Sequence, residues 1–286
     1  MQVCVGCGSG VVHQWGLKNA VAVGRCQSCG NIVADVQTHS HPDLYEDYYE
    51  STLGRESRAV GVSLRRLVRS LNQFRIYGRW LDVGFGAGAL LRAAAADGWR
   101  CYGTERSRIV LKHAASQGFI VTDQGDCKTA FPADYFDVVT LIEVIEHLHN
   151  PSEMLENAAY WLRRGGALYL TTPNAASLNS RLLGIDWSVV SPPDHVTLWR
   201  AMALRSTVAG AGFEVRRVST EGFNPYELVA RWLFREKRSI SRAASGQSLN
   251  DAMSSNWFSL TVKRRINLFL RTLHIGDTLK LLAIKT

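Results

Sequence analysis

The 286-residue chain has no stretch approaching the roughly 18 uncharged apolar residues that a membrane-spanning helix needs. Its first residues, Met1-Gln2-Val3-Cys4-Val5-Gly6-Cys7, lack a basic segment followed by an apolar run, so no secretory signal is expected. Cysteine is scarce, six in all: four fall in two spaced pairs, and Cys101 and Cys127 stand alone. That usage suits a reducing compartment, and the expected location is cytoplasmic. Acidic residues are outnumbered, 25 Asp and Glu against 33 Lys and Arg, for a formal net charge of +8. Such an excess favours acidic partners, among them nucleic acid, anionic lipid surfaces and phosphorylated or sugar-nucleotide substrates. It is modest for this length and equally suits a plain basic surface. The length fits one large α/β domain with additions, or two domains.

The cysteine pairs are Cys4-Val5-Gly6-Cys7-Gly8 and Cys26-Gln27-Ser28-Cys29-Gly30, with 18 residues between them. Two thiolates on a C-x-x-C turn hold two corners of a tetrahedron, and the following Gly permits the open backbone of that turn. Val11 to Val23 alternates enough to form short strands. The spacing predicts a zinc ribbon over residues 1–40 with Cys4, Cys7, Cys26 and Cys29 as ligands. Two disulfides, or a redox pair, are the competing readings; the first suits a reducing compartment poorly, and the second normally occurs once, beside a βαβ unit. Four cysteines close the coordination shell, so the metal is structural and supplies most of the folding energy of so small a segment.

Residues 41–76 are read as a linker and a helix. His39 and His41, at the junction, are superfluous as ligands beside four Cys, and a Tyr-rich acidic run follows. Val60, Leu64, Leu67, Val68 and Leu71 then recur at helical spacing with Arg on the other face, an amphipathic helix packing on the next domain. From Arg79 onward strand and helix patterns alternate. Trp80 to Val83 is a short buried strand, Gly84-Phe85-Gly86-Ala87-Gly88 a turn, and Ala89 to Asp97 a helix. Such glycines let backbone approach a ligand at a helix N-terminus. The next strand, Arg100 to Thr104, ends in Glu105, which can accept hydrogen bonds from ribose hydroxyls. A nicotinamide enzyme fits this much nearly as well. Three features favour S-adenosylmethionine: the spacing is G-x-G-x-G, Asp82 precedes the first Gly, and further acids follow at Asp126 and Glu143. That cofactor carries a sulfonium and an ammonium but no phosphate, so acidic groups around the loop are chemically sensible.

The segments LDVGFGAG, YGTE, GD, FDVVTLIEVIEHLHNP, LRRGGALYLTTPN, HVTLW and AGFEV together resemble the class I methyltransferase superfamily over most of Arg79 to Val218. The resemblance implies an α/β fold: a Rossmann-like seven-stranded sheet over residues 77–286 whose last strand, Thr278 to Lys285, inserts antiparallel beside Phe213 to Val218. It implies that Gly84, Gly86 and Gly88 line the methionine moiety, with Asp82 and Phe85 in the same loop. Glu105 would bind the ribose, and Asp126 the adenine amine with Cys127 beside it. Ile142 and Glu143 would end the fourth strand next to the transferred methyl. As bland alternatives, Asp126 is a turn residue and Ile142 a core residue.

Methyl transfer to a hydroxyl needs a nucleophile aligned with the sulfonium carbon and a group to take its proton. Glu143, Glu146 and His147 lie at i, i+3 and i+4 and would share a helix face after the fourth strand. His195, in Ser191-Pro192-Pro193-Asp194-His195, follows the fifth strand at the same sheet edge. His195 or His147, with Glu146, is therefore a candidate acid–base group. Alternatively Glu143, Glu146, His147 and His195 form a Mg2+ site, as in O-methyltransferases with an E-x-x-E-H motif. A third reading leaves Glu146 and His147 as structural groups under the cofactor.

Residues 222–275 form an insertion before the last strand. It is basic and aromatic, with two amphipathic helical halves around a Ser/Ala/Gly-rich break. A packed hairpin serving as a lid is expected, with peripheral membrane contact as the alternative. The layout resembles zinc-ribbon methyltransferases of sugar, glycan and natural-product pathways, so the expected acceptor is a hydroxyl (or carbon) of a small molecule, sugar nucleotide or glycan. An RNA methyltransferase is the runner-up, but no Asn-Pro-Pro-Tyr motif or RNA-reading aromatic motif occurs. The intact glycine loop and Glu105 argue against a non-enzymatic zinc-ribbon scaffold.

Overall fold

The computed structural model describes residues 3–10, 12–36, 58–125, 127–225, 227–228 and 274–286. The Tyr-rich linker with His39 and His41, Asp126, and most of the basic insertion lie outside the described residues. No helix among the described residues is long and apolar enough to cross a membrane.

The N-terminal cysteine turns flank a hairpin of β1 (Val12–Lys18) and β2 (Val21–Cys26), followed by β3 (Ile32–Ala34). Asn19 and Ala20 join β1 to β2 with φ of 52° and 63°. Two successive left-handed residues are what a tight hairpin with right-handed strand twist requires. Helix α1 (Arg58–Leu71) then leads into β4 (Arg79–Val83), α2 (Ala89–Ala96), β5 (Arg100–Thr104), α3 (Arg108–Ser116), β6 (Ile120–Thr122) and β7 (Phe136–Ile142). Next come α4 (Pro151–Trp161), β8 (Leu162–Pro173), α5 (Leu178–Leu183), β9 (Thr197–Leu198), α6 (Ala201–Gly210), β10 (Phe213–Glu221) and β11 (Thr278–Lys285).

Seven strands form one sheet in the order β10-β11-β8-β7-β4-β5-β6. The strands from β8 to β6 run parallel, and β11 lies antiparallel between β8 and β10, as the resemblance implied. Helices on both faces bury the sheet, which is why β7 reads as the near-continuous apolar run Phe-Asp-Val-Val-Thr-Leu-Ile. One face packs Leu81, Val139, Leu141, Leu168 and Leu170 against Leu155, Trp161 and Leu204 of α4 and α6. The other packs Trp80, Val138 and Ala167 against Val68, Leu71, Leu91 and Val110 of α1, α2 and α3. The predicted amphipathic helix thus docks through Leu64, Leu67, Val68 and Leu71, whereas Val60 is exposed. Trp80, Trp161, Trp187 and Trp199 are fully buried, each side chain contributing on the order of 2–3 kcal/mol by removal from water. Asp137, wholly buried at the start of β7, accepts from the Tyr77 and Arg79 amides and pairs with Arg163 at 2.6 Å.

A second sheet has the order β1-β2-β3-β9. Its first three strands come from the N-terminal cysteine module, and its fourth, β9, comes from the larger domain: Ile32 pairs with Leu198 and Val33 with Thr197. The N-terminal module is therefore stitched into the larger domain by sheet hydrogen bonds. A shared apolar cluster of Val23, Ile32 and Ala34 with Trp187, Val189, Val190 and Leu198 fills the seam.

Candidate active site and cysteine cluster

The glycine-rich turn sits where β4 ends. Gly84, Gly86 and Gly88 all have positive φ, at 64°, 51° and 77°. A Cβ on Gly84 would also lie 2.7 Å from Val144 Cγ2, so this position needs Gly for space as well as conformation. The Gly84 and Phe85 amides donate to Thr104 O, at 2.8 and 3.2 Å, which ties the turn to β5. The Phe85 side chain is buried against Gly103 and Leu91, so only its backbone can face a ligand. Gly88 precedes α2, whose first turn closes the cradle.

Two carboxylates frame this turn. Glu105 leaves β5 and accepts from the Gly86 amide at 3.0 Å through Oε2 and from the Arg106 and Ser107 amides through Oε1. Oε2, with one donor, keeps a second lone pair, so a ribose hydroxyl can still be received there. Asp82 lies beneath the turn, almost wholly buried, and accepts from Thr140 Oγ1 at 2.6 Å. Burial lifts its carboxyl to about 7, with the Glu105 charge adding to the rise and the Thr140 hydrogen bond opposing it. A cationic ligand nearby would offset that desolvation. Cys127 is exposed, its Sγ 2.9 Å from Thr129 Oγ1, a contact that lowers the thiol.

At the carboxyl end of β7 the predicted helix start is corrected. Residues Ile145–His147 form a single 3-10 turn, and the helix begins only at Pro151, capped by Asn150. Pro151 supplies the first helical turn with a residue that needs no N–H partner, which sets the boundary there. Glu143, Glu146 and His147 therefore do not share an α-helical face. Glu143 adopts φ 55°, and its Oε1 accepts from Thr171 Oγ1 at 3.0 Å. Glu146 points into the interior instead, fully buried, with Oε2 accepting from Thr172 Oγ1 at 2.9 Å. Its other oxygen, Oε1, is buried and has no hydrogen-bond partner among the described residues.

His195 reaches this carboxylate from the loop after α5. Donor atoms of Glu146, His147 and His195 lie within 4.8 Å of one another, and Glu143 stands outside this group. The two imidazoles meet edge to face with centroids 4.7 Å apart. His195 Nδ1 lies 2.6 Å from Val189 O, and His147 Nδ1 lies 2.9 Å from Asp194 O. A carbonyl only accepts, so both Nδ1 atoms carry the proton and both Nε2 atoms present lone pairs when the ring is neutral. Burial opposes a charge on His147, but the Asp194 hydrogen bond and the Glu146 and Asp194 charges outweigh it, and the ring rises to about 9. Burial and the Glu143 charge push Glu146 up to about 8 against the pull of His147. Thr172 and Asp194 were not singled out in the sequence; Asp194 is signalled only by standing next to His195, and Thr172 by nothing local.

The four module cysteines also converge. Cys4 Sγ lies 3.6 Å from Cys29 Sγ and Cys7 Sγ 3.6 Å from Cys26 Sγ, all four are free thiols, and the four sulfurs lie within 4.8 Å of one another. A tetrahedron with Zn–S bonds of about 2.3 Å has edges near 3.8 Å, so the donor set fits that ion and the separations exclude disulfides. Gly8 and Gly30 donate to Cys4 O and Cys26 O at 2.8 Å and turn left-handed just after each pair. Burial pushes the Cys4 thiol up to about 11, so ionisation there needs a cation.

Residues 55–218 match the family described as a methyltransferase domain. The ubiquinone biosynthesis O-methyltransferase of Parvibaculum lavamentivorans is 26% identical over 186 residues, 60% of this chain and 72% of that protein. The enzyme of the same name from Coxiella burnetii is 32% identical over 141 residues, 46% of this chain and 59% of that protein. Among solved structures, an S-adenosylmethionine-dependent methyltransferase from Archaeoglobus fulgidus superimposes with TM-score 0.55 at 19% identity, covering 86% of this chain and all of that one (100%). One from Thermotoga maritima gives 0.52 at 14% identity, covering 85% and 98%. At these identities the structural likeness bears on the fold alone.

Proposed function

The chain belongs to the methyltransferase-domain family of S-adenosylmethionine-dependent enzymes, and from that premise we propose that it methylates a hydroxyl of a small-molecule acceptor held against His195 and His147, with the buried Glu146 behind them. The convergence of these three side chains at the sheet edge beside the cofactor turn carries the reading. The O-methyltransferase names of the relatives support oxygen as the acceptor atom. S-adenosylmethionine supplies an activated methyl and a neutral thioether leaving group. Gly84, Gly86 and Gly88 cradle its methionine end, Glu105 receives the ribose, Asp82 balances its positive charge from below, and Ile142 and Glu143 border the methyl. Asp126 and Cys127 are assigned to the adenine edge.

In the transfer the acceptor oxygen forms a bond to the methyl carbon as the carbon–sulfur bond breaks, and the hydroxyl proton passes to Nε2 of His195. Its Nδ1–H donates to Val189 O, which fixes the tautomer a general base needs. A second reading makes Glu146, His147 and His195 ligands of Mg2+. Glu146 Oε1, without a partner among the described residues, and the carbonyl-anchored imidazoles favour it, because metal-ligating His commonly donates its other N–H to a carbonyl. A divalent ion held there would polarise the hydroxyl and lower its pKa. Cys4, Cys7, Cys26 and Cys29 are proposed to hold a structural zinc ion.

A screen of labelled methyl transfer to phenolic small molecules, sugar nucleotides, lipid-linked glycans and RNA tests the acceptor. Transfer to RNA alone would overturn the small-molecule reading. Chelator-sensitive transfer that Mg2+ restores, with the zinc retained, selects the metal; chelator-resistant transfer lost in His195→Gln selects the base.

A further inference from the structure

The hairpin tip of the N-terminal module touches the loop that carries His195. Asn19 Nδ2 donates to Pro192 O at 2.7 Å, and Lys18 Nζ donates to Trp187 O at 2.6 Å. These two anchors bracket the carbonyls that orient the imidazole: Val189 O receives His195 Nδ1, and Ser191 O receives the His195 amide. Beyond the loop the module grips again. The Ala34 amide donates to Val196 O, and the Val196 amide donates in turn to Glu146 O. Trp187, Val189 and Val190 pack on Val23, Ile32 and Ala34 of the module.

The loop needs such outside donors for a physical reason. Pro192 and Pro193 have no N–H, so the loop's own backbone bonds are few, Val190 N–H to Trp187 O at 2.9 Å and His195 N–H to Ser191 O at 3.0 Å, and Asn19 supplies the donor to Pro192 O. Asn19 is also more than a turn residue. Glycine fits a left-handed position at least as well, yet the residue present offers an amide aimed at the loop.

We propose that Asn19 is a positioning residue for methyl transfer, with Lys18 in support: the cysteine module holds the Trp187–Pro192 segment so that Val189 O keeps His195 in its Nδ1–H tautomer, facing the acceptor. The module thereby acts on the reaction centre and is more than a separately folded appendage. This rests on the reading of His195 as the group facing the acceptor hydroxyl.

The test uses the full zinc-loaded chain and two variants. Asn19→Gly keeps the left-handed turn and removes the amide; Asn19→Asp keeps the turn and size and replaces the donor with an acceptor. Zinc content by native mass spectrometry and S-adenosylmethionine affinity by calorimetry are expected to stay within about twofold, since neither variant touches those sites. Long-range nitrogen–proton NMR of the imidazoles, with His195 assigned through His195→Gln, reads the tautomer directly. The Nδ1–H to Nε2–H ratio of His195 is expected to fall on the order of fivefold in both variants, the size of one lost neutral hydrogen bond passed on to the ring. Unchanged His195 signals in both variants would overturn the proposal, and so would a tautomer change that appears only where zinc is lost. If the tautomer shifts while His195→Gln retains full labelled-methyl transfer, the positioning stands and the general-base reading falls.

Discussion

Asp82→Asn tests the electrostatics of the glycine turn most directly. The wild-type carboxyl is almost wholly buried and its pKa lies near 7 against an ordinary 3.8. The folded chain therefore binds a proton on Asp82 that the unfolded chain has released. The stability this carboxyl contributes is fully present below the unfolded value and is lost as pH rises through about 7. One such proton corresponds to about 1.4 kcal/mol per pH unit, so the rise of about three units amounts to about 4 kcal/mol. Asn keeps an oxygen to accept from Thr140 and has no charge to desolvate. The variant's unfolding free energy, measured by urea denaturation of the zinc-loaded chain, should exceed that of wild type by an amount that grows between pH 5 and pH 7 and then levels off. Binding should move the other way. In the proposed binding mode the sulfonium and ammonium of S-adenosylmethionine stabilise the ionised carboxylate, so wild-type affinity should increase from pH 6 to pH 8, and the Asn variant should bind more weakly with a flatter profile. Parallel stability curves for the two proteins would refute the reasoning, because they would mean that the carboxyl is not penalised by burial.

Glu105→Ala removes the acceptor that joins the Gly86 amide to β5 and should weaken S-adenosylmethionine binding by roughly 10–100-fold in calorimetry; an affinity within twofold of wild type would rule out the ribose role. Cys4→Ser should lose the zinc in native mass spectrometry and expose the seam around Trp187, read as a red-shifted tryptophan emission, because the module's cluster packs on that ring. Arg163→Ala leaves Asp137 buried without its ion partner and should cost about 3–5 kcal/mol in denaturant unfolding. A loss below about 1 kcal/mol would show that the Tyr77 and Arg79 amides suffice to hold that carboxylate.

Much of the parallel sheet is legible because its strands are local patterns. Trp80 to Val83 and Arg100 to Thr104 are short apolar runs ending in a glycine turn or an acid, and both fall where the sequence puts them. The Glu143–His147 stretch misleads for an equally local reason. Its i, i+3, i+4 spacing suits a helix, but the left-handed Glu143 and the cap at Asn150 delay the helix until Pro151. The spacing brings Glu146 to the site all the same, through a 3-10 turn and by way of the interior.

The amino-acid order alone determines the glycine turn, Glu105 and the two C-x-x-C pairs, because backbone conformation and short-range ligand spacing are set within a few residues. Only the tertiary structure decides that Glu146 and His195, 49 positions apart, share one cluster, that Phe85 turns its ring away from the turn, and that β9 completes the cysteine module's sheet. These depend on which surfaces bury one another and which carbonyls lack a local donor. The Pro192–Pro193 loop, with few backbone donors of its own, is also held by Lys18 and Asn19 from far along the chain, and no periodicity or motif carries that information.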